Sequence, residues 1–249
     1  MASSLQAEVI SNFEIFKEQW PTELSTAQTK LSTQVKTFEL SYIRISSIQA
    51  WRTSIIFSAL SEEAEAFFFE AQNDFLVSHC LASCGSFRQG LKAIRGAIEN
   101  VFFSLYYMDH PVELVRWTEG RHKLGFTEMC TYLENHPLIY GQKLALTAIG
   151  VIKDEYSTLS KAVHGSAKVF RMTKNLTEIN LWGDDAAHVG KWATRERLVI
   201  VNLNVILLHL FRNHLLGAKH RGLRESIGMV FPKSLHTQIK SNLSINLIP

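Results

Sequence analysis

The chain has 249 residues, which is enough for one large domain or for one domain with an added helical arm. Its content of 46% hydrophobic and 20% charged residues is typical of a folded protein and excludes a mostly disordered chain. The net charge of +3 gives no strong basic field, so charge alone does not indicate nucleic acid or an anionic membrane as a partner.

Two further features bear on location. The first residues lack a basic segment followed by an apolar one, so we predict no secretory signal and a cytoplasmic protein. The apolar run over 198–211 is interrupted by Asn202, Asn204 and His209 and is shorter than the roughly 20 residues that span a bilayer. We therefore expect a buried helix there and no membrane partner.

Apolar residues recur at helical spacing along almost the whole chain, which contains 13 glycines and five prolines. This pattern predicts an all-α fold, a multi-helix bundle. Residues 61–216 form the bundle, preceded by an N-terminal helical arm over 1–60. Short helices over 217–249 are expected to pack on the bundle. The three cysteines fit neither a disulfide framework nor a zinc site, and we predict no metal or cofactor.

The predicted elements follow in chain order. In the arm, a first helix begins near Ser4 and ends at Pro21, and a second segment over 22–60 is broken near Ser41. Its polar face suggests a partner-binding hairpin. The predicted elements of the bundle are a helix over 61–85, a helix over 87–108, a helix with Pro111 at its first position, a short helix over 126–135, a helix over 141–164 with Gly165 as C-cap, a loop or small hairpin over 166–184, and a helix over 185–216.

Two stripes run along the predicted helix over 87–108. An apolar stripe faces the core and consists of Leu91, Ile94, Ile98, Phe102 and Leu105. A second stripe flanks it and consists of Arg88, Arg95, Glu99 and Tyr106. These polar groups should be half-buried, where a charge requires a partner. The simplest interpretation is an ion pair between Arg95 and Glu99, four residues apart.

His164 lies in the last turn of its predicted helix, at the edge of the apolar seam rather than on the open surface. One interpretation is structural, since a histidine there favours the negative end of the helix dipole. The other is chemical, because imidazole titrates near neutral pH and can act as a general base or acid.

The helix over 141–164 ends in a characteristic string, with Tyr156, Leu159, Ser160, Val163, His164 and Gly165 in the pattern Tyr-x-x-Leu-Ser-x-x-Val-His-Gly. Together with the partly buried acid on an earlier helix, this string resembles the HEPN superfamily of helical bundles over residues 62–216. Many such domains are ribonucleases of prokaryotic toxin and antiviral defence systems. In them an arginine, separated from the histidine by four to six intervening residues, meets the same pair of a second protomer, and the dimer cleaves RNA without metal.

Those positions hold Leu159, Thr158 and Ser157 here, so the resemblance implies that Arg95 supplies the arginine from the neighbouring helix. It assigns catalysis to Arg95, Glu99 and His164. It assigns RNA binding to a wider set of residues, Arg88, Tyr106, Tyr156, Ser160 and Lys161. The implied partners are RNA, a second copy of the chain, and a further protein of a defence or antitoxin system.

Two alternatives remain open. In the first, the chain is a non-catalytic helical assembly or partner-binding subunit, which the missing arginine and the low net charge favour. In the second, it is a small-ligand sensor whose pocket is lined by aromatic residues, Phe87, Tyr106, Tyr107, Trp117 and Trp182. The sequence has no phosphate-binding glycine loop, no His-Glu-x-x-His and no Gly-x-Ser-x-Gly, which excludes most common nucleotide, zinc-protease and serine-hydrolase sites.

Overall fold

The computed structural model describes residues 4–166, 168–174, 178–179, 181–217 and 219–248, and it is all-α apart from one two-stranded hairpin. The helices are α1 (Ser4–Leu31), α2 (Val35–Trp51), α3 (Phe57–Ala59), α4 (Glu62–Ser83), α5 (Phe87–Asp109), α6 (Pro111–Thr118), α7 (Phe126–Asn135), α8 (Lys143–His164), α9 (Ala186–Leu210), α10 (Arg221–Val230) and α11 (Lys233–Leu243). Strands β1 (Thr173–Lys174) and β2 (Glu178–Ile179) pair antiparallel between α8 and α9. The predicted multi-helix bundle is therefore confirmed.

Helix α5 is central to the bundle, because it packs against α4, α7, α8 and α9. The apolar stripe predicted for it is buried along its whole length, from Leu91 to Leu105. Three members of its polar stripe, Arg88, Arg95 and Glu99, lie toward α8, whereas Tyr106 packs against His110 and Tyr132. Arg88 reaches the carbonyls of residues 162 and 163, whereas Arg95, two turns further along α5, reaches Tyr156 and Ser160. The two helices therefore run antiparallel, and this register decides which residues meet.

The predicted arm differs from the observed one. Helix α1 continues through Pro21 and ends at Leu31, and a 3₁₀ turn over 32–34 separates it from α2, which passes Ser41 without a break. The proline is tolerated because that part of α1 is exposed, so solvent can satisfy the carbonyl that loses its partner. Helix α2, predicted as part of the arm, instead packs within the bundle. Its residues Ile45, Ile48 and Trp51 belong to the same hydrophobic core as the bundle.

Other predicted boundaries are confirmed. Pro111 opens α6, and Gly165 ends α8 in the left-handed conformation with φ of 61°. The predicted helix to residue 216 is wrong at its end, since α9 stops at Leu210 and a 3₁₀ turn follows. Arg224 of α10 binds the carbonyls of Leu215 and Gly217 there.

Among the described residues, no helix combines the length and the apolar character needed to cross a membrane.

A buried ionic contact joins α2 to α9. The side chain of Glu196 has no exposed surface, and it accepts hydrogen bonds from Arg44 Nε at 2.5 Å and Ser41 Oγ at 2.9 Å. Burial raises the pKa of Glu196 to about 7, although Arg44 opposes the shift. Removal of one member of such a pair leaves a buried group without its counter-charge, which costs more than the pair contributes.

We predict that Arg44→Met lowers the free energy of unfolding by about 3 kcal/mol at neutral pH. Without the guanidinium, the folded state holds a proton on Glu196 that the unfolded chain releases. Stability of this variant should therefore fall as pH rises from about 5 to about 8, measured by urea unfolding. The double variant Arg44→Met/Glu196→Gln is the control and should lose most of that slope. An equal slope in both variants would contradict the role of Glu196.

Candidate functional site

Four of the predicted site residues meet between α5 and α8. Arg95 forms an ion pair with Glu99 at 3.1 Å and donates from Nε to Ser160 Oγ at 3.1 Å. The hydroxyl of Tyr156 donates to Glu99 at 2.6 Å and accepts from the Arg95 guanidinium. Ser160 in turn donates to the carbonyl of Tyr156 at 2.8 Å. We call these four residues the Arg95 cluster.

The Arg95 cluster is tightly held. The Tyr156 ring stacks on Phe126 with centroids 3.8 Å apart, and the Arg95 guanidinium carbon lies 4.5 Å from the Tyr156 ring centre. Burial, with the hydrogen bond to Glu99, raises the pKa of Tyr156 above its usual value, so the hydroxyl keeps its proton at neutral pH. Each polar side chain of the cluster is thus hydrogen-bonded to another member. The cluster is therefore a structural link between α5 and α8.

We predict that Tyr156→Phe lowers the free energy of unfolding by about 1–2 kcal/mol, because Arg95 and Glu99 lose the hydroxyl that bridges them while the ring stack remains. Thermal and urea unfolding would measure it. Tyr140→Phe is the matched control, since that side chain is 72% exposed and should leave stability unchanged. Equal stability of the Tyr156 variant and the wild type would show that the cluster does not hold the helices together.

His164 lies elsewhere, in a crevice at the end of α8. The crevice has a volume of about 510 Å³ and lies where the end of α8 meets the start of α5 and the hairpin segment. Its lining residues are Ser86, Arg88, Gln89, His164, Gly165, Arg171, Met172, Thr173, Leu181 and Trp182. Three of these residues, Arg88, His164 and Arg171, have basic side chains, and none of the lining residues is acidic. The His164 ring makes no hydrogen bond to the described residues and is exposed.

Arg88 builds the wall of this crevice. It donates from Nε to the Ala162 carbonyl at 2.8 Å and from Nη2 to the Val163 carbonyl at 3.1 Å, both in the last turn of α8, where carbonyls lack full intrahelical partners. A Cβ at position 165 would lie 2.8 Å from Arg88 Nη2, and the backbone there has positive φ. Glycine at 165 therefore serves both the helix end and the arginine.

The loop after α8 completes the crevice. Arg171 donates from Nε to the Gly165 carbonyl at 3.3 Å, and its terminal nitrogens have no partner among the described residues. The indole N–H of Trp182 is buried and likewise has no acceptor in the described part of the chain. The loop is held by Gly183, whose N–H binds the Gly85 carbonyl at 2.9 Å. A ligand with oxygen acceptors would find several donors here.

The structure thus separates two parts of the predicted site. The Arg95 cluster contains Arg95, Glu99, Tyr156 and Ser160, whereas the crevice contains His164 and Arg88 and does not include Arg95. Arg88 and Arg95 are seven residues apart, so their backbone positions are about 10 Å apart along the axis of α5. Sequence reasoning missed Arg171 as a site residue, because the segment over 166–184 shows no periodicity that would place it.

The other predicted positions lie apart from the crevice. Lys161 is exposed and is not among the crevice residues. Tyr106 stacks on His110 with ring centroids 4.0 Å apart, near the opposite end of α5. The aromatic pocket expected of a sensor is also divided, since Tyr107 and Trp117 pack with Phe67, whereas Phe87 and Trp182 lie at the other end of α5.

Among the described residues, no group of three or more His, Cys, Asp or Glu side chains is arranged to hold a metal ion. Comparisons of the chain with protein-family models, with curated proteins and with solved structures gave no match. The crevice and the string at the end of α8 are therefore the two features that bear on function.

Proposed function

We propose that the chain is a HEPN-like protein that binds single-stranded RNA in the crevice at the end of α8. The observation that carries the proposal is the crevice lining, with Arg88, Arg171 and His164 and no acidic side chain. Phosphate is the anion that such a set recognises best, since arginine offers a planar pair of donors to its oxygens. Trp182 adds an aromatic side chain to the same wall, as expected for a base contact.

The two arginines differ in how many donors remain for a ligand. Arg88 uses two of its donors in hydrogen bonds to the α8 carbonyls, so it mainly neutralises the negative end of the helix dipole. Arg171 uses only Nε locally and presents its remaining nitrogens. We therefore assign the direct phosphate contact to Arg171 and a supporting one to Arg88, in place of the Arg95 that the resemblance implies.

RNA cleavage is the catalytic form of this proposal. The exposed imidazole of His164 would take the proton of a ribose 2′-hydroxyl. The 2′-oxygen then bonds to phosphorus, the bond from phosphorus to the 5′-oxygen breaks, and the leaving oxygen takes a proton from water. Arg171 would stabilise the extra negative charge on the phosphorane oxygens. The setting we propose is a prokaryotic defence or toxin system, as in the proteins that the α8 string resembles.

A second candidate is a non-catalytic assembly subunit of such a system. It is favoured by the Arg95 cluster, in which Arg95 and Glu99 bond to each other, Tyr156 and Ser160. The expected catalytic arginine is then a structural residue. RNA binding in the crevice without turnover would support this second candidate over the ribonuclease.

We predict that Arg171→Ala weakens binding of a labelled single-stranded RNA by about tenfold and lowers the slope of log K against log salt by about 0.7, the share of one phosphate contact. Arg197→Ala is the control, because Arg197 is also exposed but lies on α9 and lines a different groove. Fluorescence anisotropy over a salt series measures both. An equal effect of the two substitutions would exclude a local site in the crevice.

We predict that His164→Ala lowers the rate of RNA cleavage by at least about 100-fold while the melting temperature stays unchanged. His214→Ala is the matched control, an exposed histidine in the 3₁₀ turn after α9. Single-turnover cleavage of a labelled RNA is the measurement. Full activity in the His164 variant would end the catalytic form of the proposal.

A further inference from the structure

The first two thirds of α1 form a bare helix. Residues 4–23 are exposed, and only Ala27 and Leu31 of α1 are buried against the body of the protein. We call residues 4–26 the α1 arm, which extends over about 34 Å at 1.5 Å per residue. The base of α1 is anchored, because Lys30 pairs with Asp184 and Gln28 donates to Cys84 Sγ at 3.3 Å.

Eight of the apolar residues of α1 form one continuous stripe, while Ile10 and Ile15 lie off it. The members of the stripe are spaced four, four and three residues apart in turn, which is an 11-residue repeat and keeps the stripe nearly straight along the helix. The body buries the last two members of the stripe, partly covers Leu24 and leaves the five members before it exposed. The members are Leu5, Val9, Phe13, Phe16, Trp20, Leu24, Ala27 and Leu31.

This bare part is too apolar to be ordinary surface. Leu5, Val9, Phe13 and Phe16 are each at least half exposed, and Trp20 is 37% exposed. Each exposed aromatic offers roughly 100 Å² for burial, so two such arms together hide on the order of 1,000 Å², where specific interfaces begin. Contiguous exposed patches of this size mark interaction sites.

We propose that the α1 arm pairs with the α1 arm of a second copy of this chain, in a parallel two-helix interface. A second copy always carries the same repeat, so the two stripes match along their whole length. Lys17 and Glu23 lie on opposite sides of the stripe. In a parallel pair Lys17 of one arm faces the Glu23 side of the other, whereas an antiparallel pair brings like sides together.

Charge argues against a lipid surface as the occupant. The arm carries four glutamates and one lysine, a net charge of −3, while the whole chain has +3. Helices that lie on anionic membranes present lysine and arginine on their polar face. This inference does not depend on RNA binding in the crevice, which lies beyond the anchored base of α1.

The test is the mass of the full chain in solution, by sedimentation equilibrium at micromolar concentration. We expect a dimer for the wild type and at least a 100-fold weaker dimerisation constant for Phe16→Glu, since two buried aromatic anchors are lost per dimer. Ile15→Glu is the matched control. Ile15 is also 50% exposed but points about 120° away from the stripe, so this variant should remain a dimer.

Orientation is tested by cross-linking in a background with Cys80→Ser and Cys84→Ser. Val9→Cys lies on the stripe and should form an intermolecular disulfide under mild oxidation, whereas Ala7→Cys on the opposite face should not. A wild-type monomer, with or without binding to lipid vesicles, overturns the proposal. So does a dimer that persists in Phe16→Glu, or a dimer in which Val9→Cys stays reduced.

Discussion

The guanidinium of Arg88 joins the end of α8 to the start of α5 and forms part of the wall of the crevice. Its two bonds go to the carbonyls of residues 162 and 163, in the last turn of α8. Beside them, Gly165 turns the chain with a positive φ of 61°, a backbone conformation that residues with a side chain rarely adopt. The chain then turns into the hairpin segment, and His164, Arg171 and Trp182 come to line one space.

Two kinds of polar site lie side by side on the α5–α8 seam, and they differ in how fully their groups are bonded. In the Arg95 cluster, Tyr156 connects the arginine to the acid and keeps its own proton. In the crevice, the imidazole of His164 and the outer nitrogens of Arg171 are exposed and have no partner among the described residues. Groups of the first kind stabilise a fold, and groups of the second kind are able to recognise a ligand.

Much of the bundle could be predicted from local patterns. Helical spacing predicts the apolar stripe of α5. The backbone preferences of single residues predict the proline that opens α6 and the glycine that ends α8. The pairing of Arg95 with Glu99 follows from the same spacing. The end of α1 could not be predicted in this way, because an interior proline can either end a helix or only kink it, and the local sequence does not decide between the two outcomes.

The composition of the site was less accessible to sequence reasoning. Whether Arg88 or Arg95 meets His164 depends on the axial register of two antiparallel helices, and a shift of two turns exchanges one for the other. That register is set by packing across the whole bundle rather than by the residues themselves. Arg171 follows α8 in an irregular segment, where no repeat indicates which way a side chain points.

The position of Pro21 in α1 has a consequence for how the arm behaves over time. Most helical stability in proteins comes from packing, which the exposed arm lacks, and the missing amide hydrogen of Pro21 weakens the helix further near the base of the arm. The arm can therefore unwind without disturbing the core, with its own opening free energy close to zero. Its amides should exchange with solvent much faster than those of α5, and their protection becomes a direct measure of how often the arm is covered.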